Sequence, residues 1–163
     1  MSLRLRALNG VLWRVVKPFL ARVQRPQVLR RGFSLAAVFL FKPWHARMRR
    51  SILGMEFTTG TPAPGRVMLY FHGGGYVAGL PWTHRELLGR LARATRLAVI
   101  APKYRLAPKH PLPAALEDAV AAWDGLTARF SPGQIVLGGD SAGAGWRYRF
   151  WRFYVGGGRR LRH

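Results

Sequence analysis

The sequence predicts an α/β fold with a mostly parallel sheet, on three observations. "RVMLYF" (66–71), "LAVIAPKY" (97–104) and "QIVLGG" (134–139) are short, continuous, β-prone apolar runs, as expected of strands covered on both faces. Two stretches with helical character separate them, "THRELLGRLARAT" (83–95) and "PAALEDAVAAWDGLTARF" (113–130). The resulting order, strand–helix–strand–helix–strand, is that of a parallel sheet flanked by helices. A chain of 163 residues is long enough for one such core.

Each element has local support. Thr83 followed by Glu86 reads as a capping box that starts the first helix. Pro113 suits the first turn of the second helix, and "SPG" (131–133) stops it. "TTGTPAPG" (58–65) is linker and turn chemistry leading into the first strand. Further upstream, Leu5, Leu8, Leu12, Val15, Phe19 and Val23 recur at helical spacing. They predict an amphipathic packing helix with arginines on its other face, interrupted near Pro18. A second helix is expected over 33–42, with "KPWHARMRR" (42–50) as a connection.

Charge divides the chain into three. Residues 1–50 carry twelve Lys/Arg and no acid, and 146–163 carry six Arg and no acid. Residues 51–145 carry nine basic residues and all six acids. The formal net charge of +21 therefore belongs to the two ends. That basicity would otherwise point to nucleic acid or an anionic membrane. The absence of cysteine excludes disulfides and cysteine-ligated metals, and it fits a reducing compartment. No continuous apolar leader interrupts the arginine-rich start, and "FSLAAVFLF" (33–41) is too short to span a bilayer. A cytoplasmic location and no stable membrane insertion are the expectation.

Two motifs carry chemistry. Gly139-Asp140-Ser141-Ala142-Gly143 fits G-x-S-x-G at the end of the third strand. Such a turn presents a strained serine between strand and helix, with small residues on either side because the backbone doubles back. The Ala142 amide would face a developing oxyanion at the positive end of the next helix. A glycine-rich turn with a capping serine gives the same five residues. His72-Gly73-Gly74-Gly75 directly follows the first strand. Glycines there let backbone amides approach a ligand closely, as an oxyanion hole requires. A plain flexible turn also fits. A phosphate loop lacks its G-K-[ST]. "PKYRLAPKHPLPAALEDAVAAW" (102–123) is a proline-stiffened loop entering a helix, in which Arg105 and His110 read as structural.

Together, "HGGGY", "YRLAPKHPLPAALEDA" and "GDSAGAG", in this order over about residues 66–145, resemble the hormone-sensitive-lipase-like branch of the α/β-hydrolase esterases. The resemblance implies the N-terminal part of an α/β-hydrolase fold. Residues 1–57 would form a helical cap over the acyl pocket, 66–145 a partial hydrolase domain, and 146–163 a non-native basic aromatic tail. It implies a carboxylic-ester hydrolase with Ser141 as nucleophile. Gly73, Gly74 and the Ala142 amide would form the oxyanion hole, with His72 orienting the glycine loop. His72, Gly75, Gly139, Asp140 and Gly143 complete the motifs. A small-molecule ester is the implied substrate, without cofactor, metal or nucleic acid. The chain departs from the family at Lys103 and Lys109, where acids are usual, and mildly at Ala144, where glycine is usual.

The base and its orienting acid should follow the serine in the order Ser, Asp/Glu, His. After Ser141 there is no acid, and the only histidine is His163. In place of an apolar helix comes "WRYRFWRFYV". Trp, Tyr and Phe codons begin with T. Read one base earlier, that T becomes the middle base and the codons turn apolar, while CGN arginine codons become Ala, Pro, Ser or Thr. A change of reading frame near Gly145 explains the composition, and little turnover is expected of the chain as written. Taken at face value, arginine interleaved with aromatics would instead suit nucleic-acid stacking or a membrane interface. Sequencing the locus tests the frame reading: a downstream Asp…His pair should appear in the shifted frame, and its absence would refute the reading.

Overall fold

A computed structural model describes residues 46–150 continuously, the side chains of 147–150 excepted. It also describes positions 10, 13, 14, 18, 28, 30–32 and 35. The expected N-terminal stripe, the second helix over 33–42 and the tail beyond 150 otherwise lie outside the described residues. The elements are β1 (Arg47–Ser51), β2 (Gly54–Thr58), β3 (Val67–Phe71), α1 (Arg85–Thr95), β4 (Ala98–Ala101), α2 (Ala114–Thr127), β5 (Ile135–Gly139) and α3 (Ala142–Phe150).

The three apolar runs form adjacent parallel strands, β4–β3–β5, as the sequence predicts. All five residues of β3 are buried, because helices cover both faces. On one face Val67, Leu69, Phe71 and Ile100 pack with Ala115, Ala119, Trp123 and Leu126 of α2 and with Trp146 of α3. On the other, Met68, Tyr70, Val99 and Phe57 pack with Leu88 and Ala92 of α1. Alternate residues of one strand thus feed opposite cores, which is the period of two made visible.

The sheet also contains a hairpin that the sequence reading did not anticipate. β1 and β2 pair antiparallel, and β2 continues antiparallel onto β4. The stretch 42–50, expected to be a connection, therefore supplies strand β1, and the sheet begins inside the segment expected to be helical cap. The signal was weak because β1 reads RMRRS and is exposed along most of its length. Its arginines suit an edge strand, where charge discourages pairing with another chain. The opposite edge of the described sheet is β5, whose Val136 is exposed.

Three boundaries move. Thr83 does not cap α1. Its hydroxyl accepts the Leu80 amide at 3.1 Å and donates to the Leu80 carbonyl at 2.7 Å, closing a 3-10 turn over Pro81–His84. Helix α1 starts after that turn, and Glu86 pairs with Arg90 at 2.6 Å. Pro113 sits at the N-cap of α2 rather than inside it. β4 ends at Ala101, before Pro102, which cannot donate to the ladder.

Trp123 is buried between α2 and the sheet. Trp123→Ala should cost about 3–5 kcal/mol, read as a lowered midpoint in equilibrium chemical denaturation.

Candidate functional site

The chain passes from β3 to β4 on one side, then crosses α2 to place β5 on the other side of β3. β3 is thus the point where strand order reverses. In open α/β sheets, ligands bind beyond the carboxyl ends of the strands at such a point. Phe71 and Gly139, the last residues of β3 and β5, lie side by side in register. The glycine run after Phe71 and the serine turn after Gly139 therefore emerge together.

The serine turn has the strain its motif predicts. Ser141 is exposed, with φ 49°, a left-handed conformation that is uncommon for a residue with a side chain. The chain reverses tightly into α3. A Cβ on Gly139 would lie 2.5 Å from the Gly143 carbonyl oxygen, and one on Gly143 would lie 2.0 Å from that of Phe71. Neither position has room for a side chain. Helix α3 begins at Ala142, so the Ala142 amide lacks an intrahelical acceptor and points its dipole out of the helix start.

The glycine loop is held from beneath. His72 is fully buried, and its Nδ1 donates to the Gly73 carbonyl at 2.8 Å. Tyr104 stacks on the His72 ring at 4.3 Å and donates its hydroxyl to the His72 carbonyl. Burial lowers the His72 pKa to about 4, so the ring is neutral at pH 7. Gly74 has φ 124°, and its carbonyl accepts from the Val77 and Ala78 amides at 3.1 and 2.9 Å. Only glycine adopts that conformation readily. The Gly74 amide donates to no acceptor among the described residues. Tyr76 joins the two turns from the other side: its hydroxyl donates to the Ala142 carbonyl at 2.8 Å, and its ring meets Trp146 edge-on at 5.2 Å.

The Gly73 amide, expected among the oxyanion donors, donates instead to Asp140 Oδ1 at 2.9 Å. The sequence could not show that the residue before Ser141 would claim this hydrogen. The same carboxylate accepts from the Tyr70 hydroxyl at 3.1 Å and faces His84 Nε2 across 3.6 Å. Burial opposes the charged form of both partners. In each it is outweighed: Asp140 raises the His84 pKa, and His84, the Gly73 amide and Tyr70 lower that of Asp140. Burial and then Asp140 raise the Tyr70 pKa, which keeps its hydroxyl a donor.

Other residues play supporting roles. Arg105 binds Asp118 at 2.9 Å and Glu117 at 2.7 Å, and its amide donates to Asp118 Oδ2 at 2.7 Å. Those contacts order the proline-rich loop against α2. The His110 amide donates to the Leu106 carbonyl at 3.0 Å. Arg30 reaches from the N-terminal region to the Val77 and Ala107 carbonyls at 2.7 and 2.8 Å. Sequence reasoning missed His84, Tyr70, Tyr76, Tyr104 and Arg30, because each contributes through contacts 32 to 77 residues distant in the chain. The one available clue was position: Tyr70 and Tyr76 flank the glycine run.

Asp140 and His84 leave opposite pH signatures. A depressed carboxylate pKa adds stability above its ordinary value of 3.8, lost as pH falls through the folded value. A raised imidazole pKa adds stability fully present below 6.5, lost as pH rises through the folded value. The pair is therefore strongest between those two ordinary values. NMR titration should place the His84 pKa above 6.5, and Asp140→Asn should lower it, because burial is then opposed only by the hydrogen bond to the Leu80 carbonyl. An unchanged His84 pKa in the variant would overturn the pairing.

A sequence profile of the alpha/beta hydrolase fold matches residues 68–150. An acetyl-hydrolase of Streptomyces hygroscopicus is 51% identical over 82 residues, covering 50% of this chain and 27% of that protein. A carboxylesterase/phospholipase of Mycobacterium tuberculosis is 46% identical over 80 residues, covering 48% and 21%. Among solved structures, an esterase from the bacterial hormone-sensitive lipase family is 36% identical with TM-score 0.70, covering 77% of this chain and 44% of that one. A mutant esterase is 34% identical with TM-score 0.77, covering 89% and 50%. The chain thus spans about a quarter of the curated relatives it matches, and up to half of the solved ones. The profile, these relatives and the paired turns after β3 and β5 agree: this chain belongs to the alpha/beta hydrolase fold family and matches the N-terminal part of its hormone-sensitive-lipase-like esterases.

Proposed function

We propose that this chain carries the nucleophile and oxyanion half of a carboxylic-ester hydrolase. The observation that carries the reading is the Asp140–Gly73 hydrogen bond, which fixes the glycine loop against the strained Ser141 turn. In the full reaction Ser141 Oγ would give its proton to a base and attack the ester carbonyl carbon. The C–O bond to the alcohol would break as the base passed that proton to the leaving oxygen, and water, deprotonated by the same base, would release the acid from the acyl-serine. The Gly74 and Ala142 amides stabilise the oxyanion, each donor of this kind being worth on the order of 10²–10³ in rate. Gly73 serves by holding the loop to Asp140. His72 braces it and is not the base. The substrate is a small-molecule ester, as the name of the acetyl-hydrolase relative suggests. Of the 1–57 region expected to form a cap, the part before β1 serves as one, supported by the reach of Arg30 to the loops after β3 and β4.

Within these 163 residues no Asp or Glu follows Ser141 and the one histidine that does is His163, so they do not themselves supply the Ser, Asp/Glu, His order of the fold. The non-native reading of 146–163 gains support from Trp146. Its ring fills the core, yet its indole Nε1 is buried without a partner among the described residues. A buried donor left unpaired costs about 1–3 kcal/mol. A purely apolar side chain would fill the same place without that cost.

Hydrolysis of p-nitrophenyl acetate by the 163-residue chain should stay within about tenfold of its Ser141→Ala variant, since loss of the base removes nearly all nucleophile-dependent rate. A Ser141-dependent rate far above that bound would show that another residue supplies the base. In a chain whose shifted frame restores the downstream Asp…His pair, a rate retained in full by Ser141→Ala would overturn the nucleophile assignment.

A further inference from the structure

Beside the oxyanion loop lies a cavity of about 420 Å³ whose lining includes none of Ser141, Gly74 and Ala142. Arg30, Lys103, Tyr104, Arg105, Lys109 and His110 line it. It opens between the loop after β3 and the loop after β4, at the same carboxyl edge of the sheet where ligands of this architecture bind. Its size lies within the range of small-molecule pockets, roughly 300–1,000 Å³.

Its charge is lopsided. Two carboxylates reach the lining, Asp118 and Glu117, and both are held by Arg105. Arg30 donates to the Val77 and Ala107 carbonyls and pairs with no carboxylate among the described residues. Lys103 and Lys109 are exposed, and neither forms an ion pair among the described residues. Few acids remain to serve them. The chain has six: Glu86 pairs with Arg90, Asp140 with His84, and Glu117 and Asp118 with Arg105. Four cations in one concavity with two carboxylates on one of them produce a positive potential that the walls focus.

We propose that this cavity is a binding site for a small oxyanion, a phosphate or carboxylate group held by the exposed Lys103 and Lys109 of its lining, with Arg30 beside them. Lysine binds such groups as a mobile point charge, which suits two exposed ammonium groups on one loop. Bound anion relieves their mutual repulsion and stabilises the loop that ends in α2. The site depends on neither Ser141 nor a completed triad.

The test uses the whole 163-residue chain at constant ionic strength set with chloride. Inorganic phosphate is titrated in one arm and succinate in another, following backbone amide resonances of Lys103 to His110. Saturable shifts are expected in at least one arm. Phosphate alone assigns a phosphoryl group and succinate alone a carboxylate. Lys103→Ala with Lys109→Ala should weaken binding at least tenfold, as should the Lys→Gln pair. Near-UV circular dichroism verifies that both pairs are folded. Arg66→Ala with Arg129→Ala removes as much charge from exposed sites outside the cavity and should leave affinity within twofold. Ser141→Ala should bind like the parent, which separates this result from the hydrolase reading. Equal weakening by the two charge-matched pairs, or shifts that never saturate in either arm, would overturn the site and leave only diffuse attraction to a basic protein.

Discussion

The Asp140 carboxylate is the contact on which the site depends. It sits immediately before the serine that the strained turn presents, and it reaches across to the amide of the first glycine after β3. Two turns that belong to different strands thereby become one rigid unit. A carboxylate accepting an amide, a phenol and the charge of an imidazole at once is well satisfied, so its partial burial costs little. Without it, β3 and β5 would still lie in register. The glycine loop would then be tied to the serine turn only from the Tyr76 side, and an oxyanion site of the kind proposed must be fixed before charge develops.

The surrounding fold exists to present that unit. Parallel pairing of β3 with β5 sets the two turns side by side, and the crossover through α2 makes the site a point of reversed strand order. The close approach of Gly143 to the Phe71 carbonyl lets α3 start directly behind the serine. Aromatic residues then lock the rear: Tyr104 against His72, and Tyr76 against both Trp146 and the Ala142 carbonyl. His72 illustrates how burial selects function. An imidazole with no access to solvent, neutral and hydrogen-bonded to the chain it supports, is suited to bracing a loop and unsuited to shuttling protons.

The two basic features of the chain have different physical meanings. The arginines of β1 lie exposed on an edge strand, where they keep the edge solvated. Lys103 and Lys109 lie around a cavity, where low-dielectric walls strengthen their field. The first arrangement protects a surface, and the second creates a preference for anions. Net charge alone, though extreme, does not separate these cases.

By itself the sequence determined the α/β class, the three parallel strands, the two flanking helices and the two glycine-rich turns. Continuous apolar runs and glycine at sterically crowded positions are local properties that leave a local trace. The hairpin of β1 and β2 left almost none, since an exposed arginine-rich strand owes its conformation to the neighbour it pairs with. Thr83 misled for a related reason: its hydroxyl chose the nearer Leu80 backbone over the helix expected to follow. Only the tertiary structure decided which amides remain available at the site. Asp140 and Gly73 are 67 residues apart in the chain. Whether one takes the other's hydrogen depends on β3 and β5 lying in register, a long-range pairing that no spacing within either motif encodes.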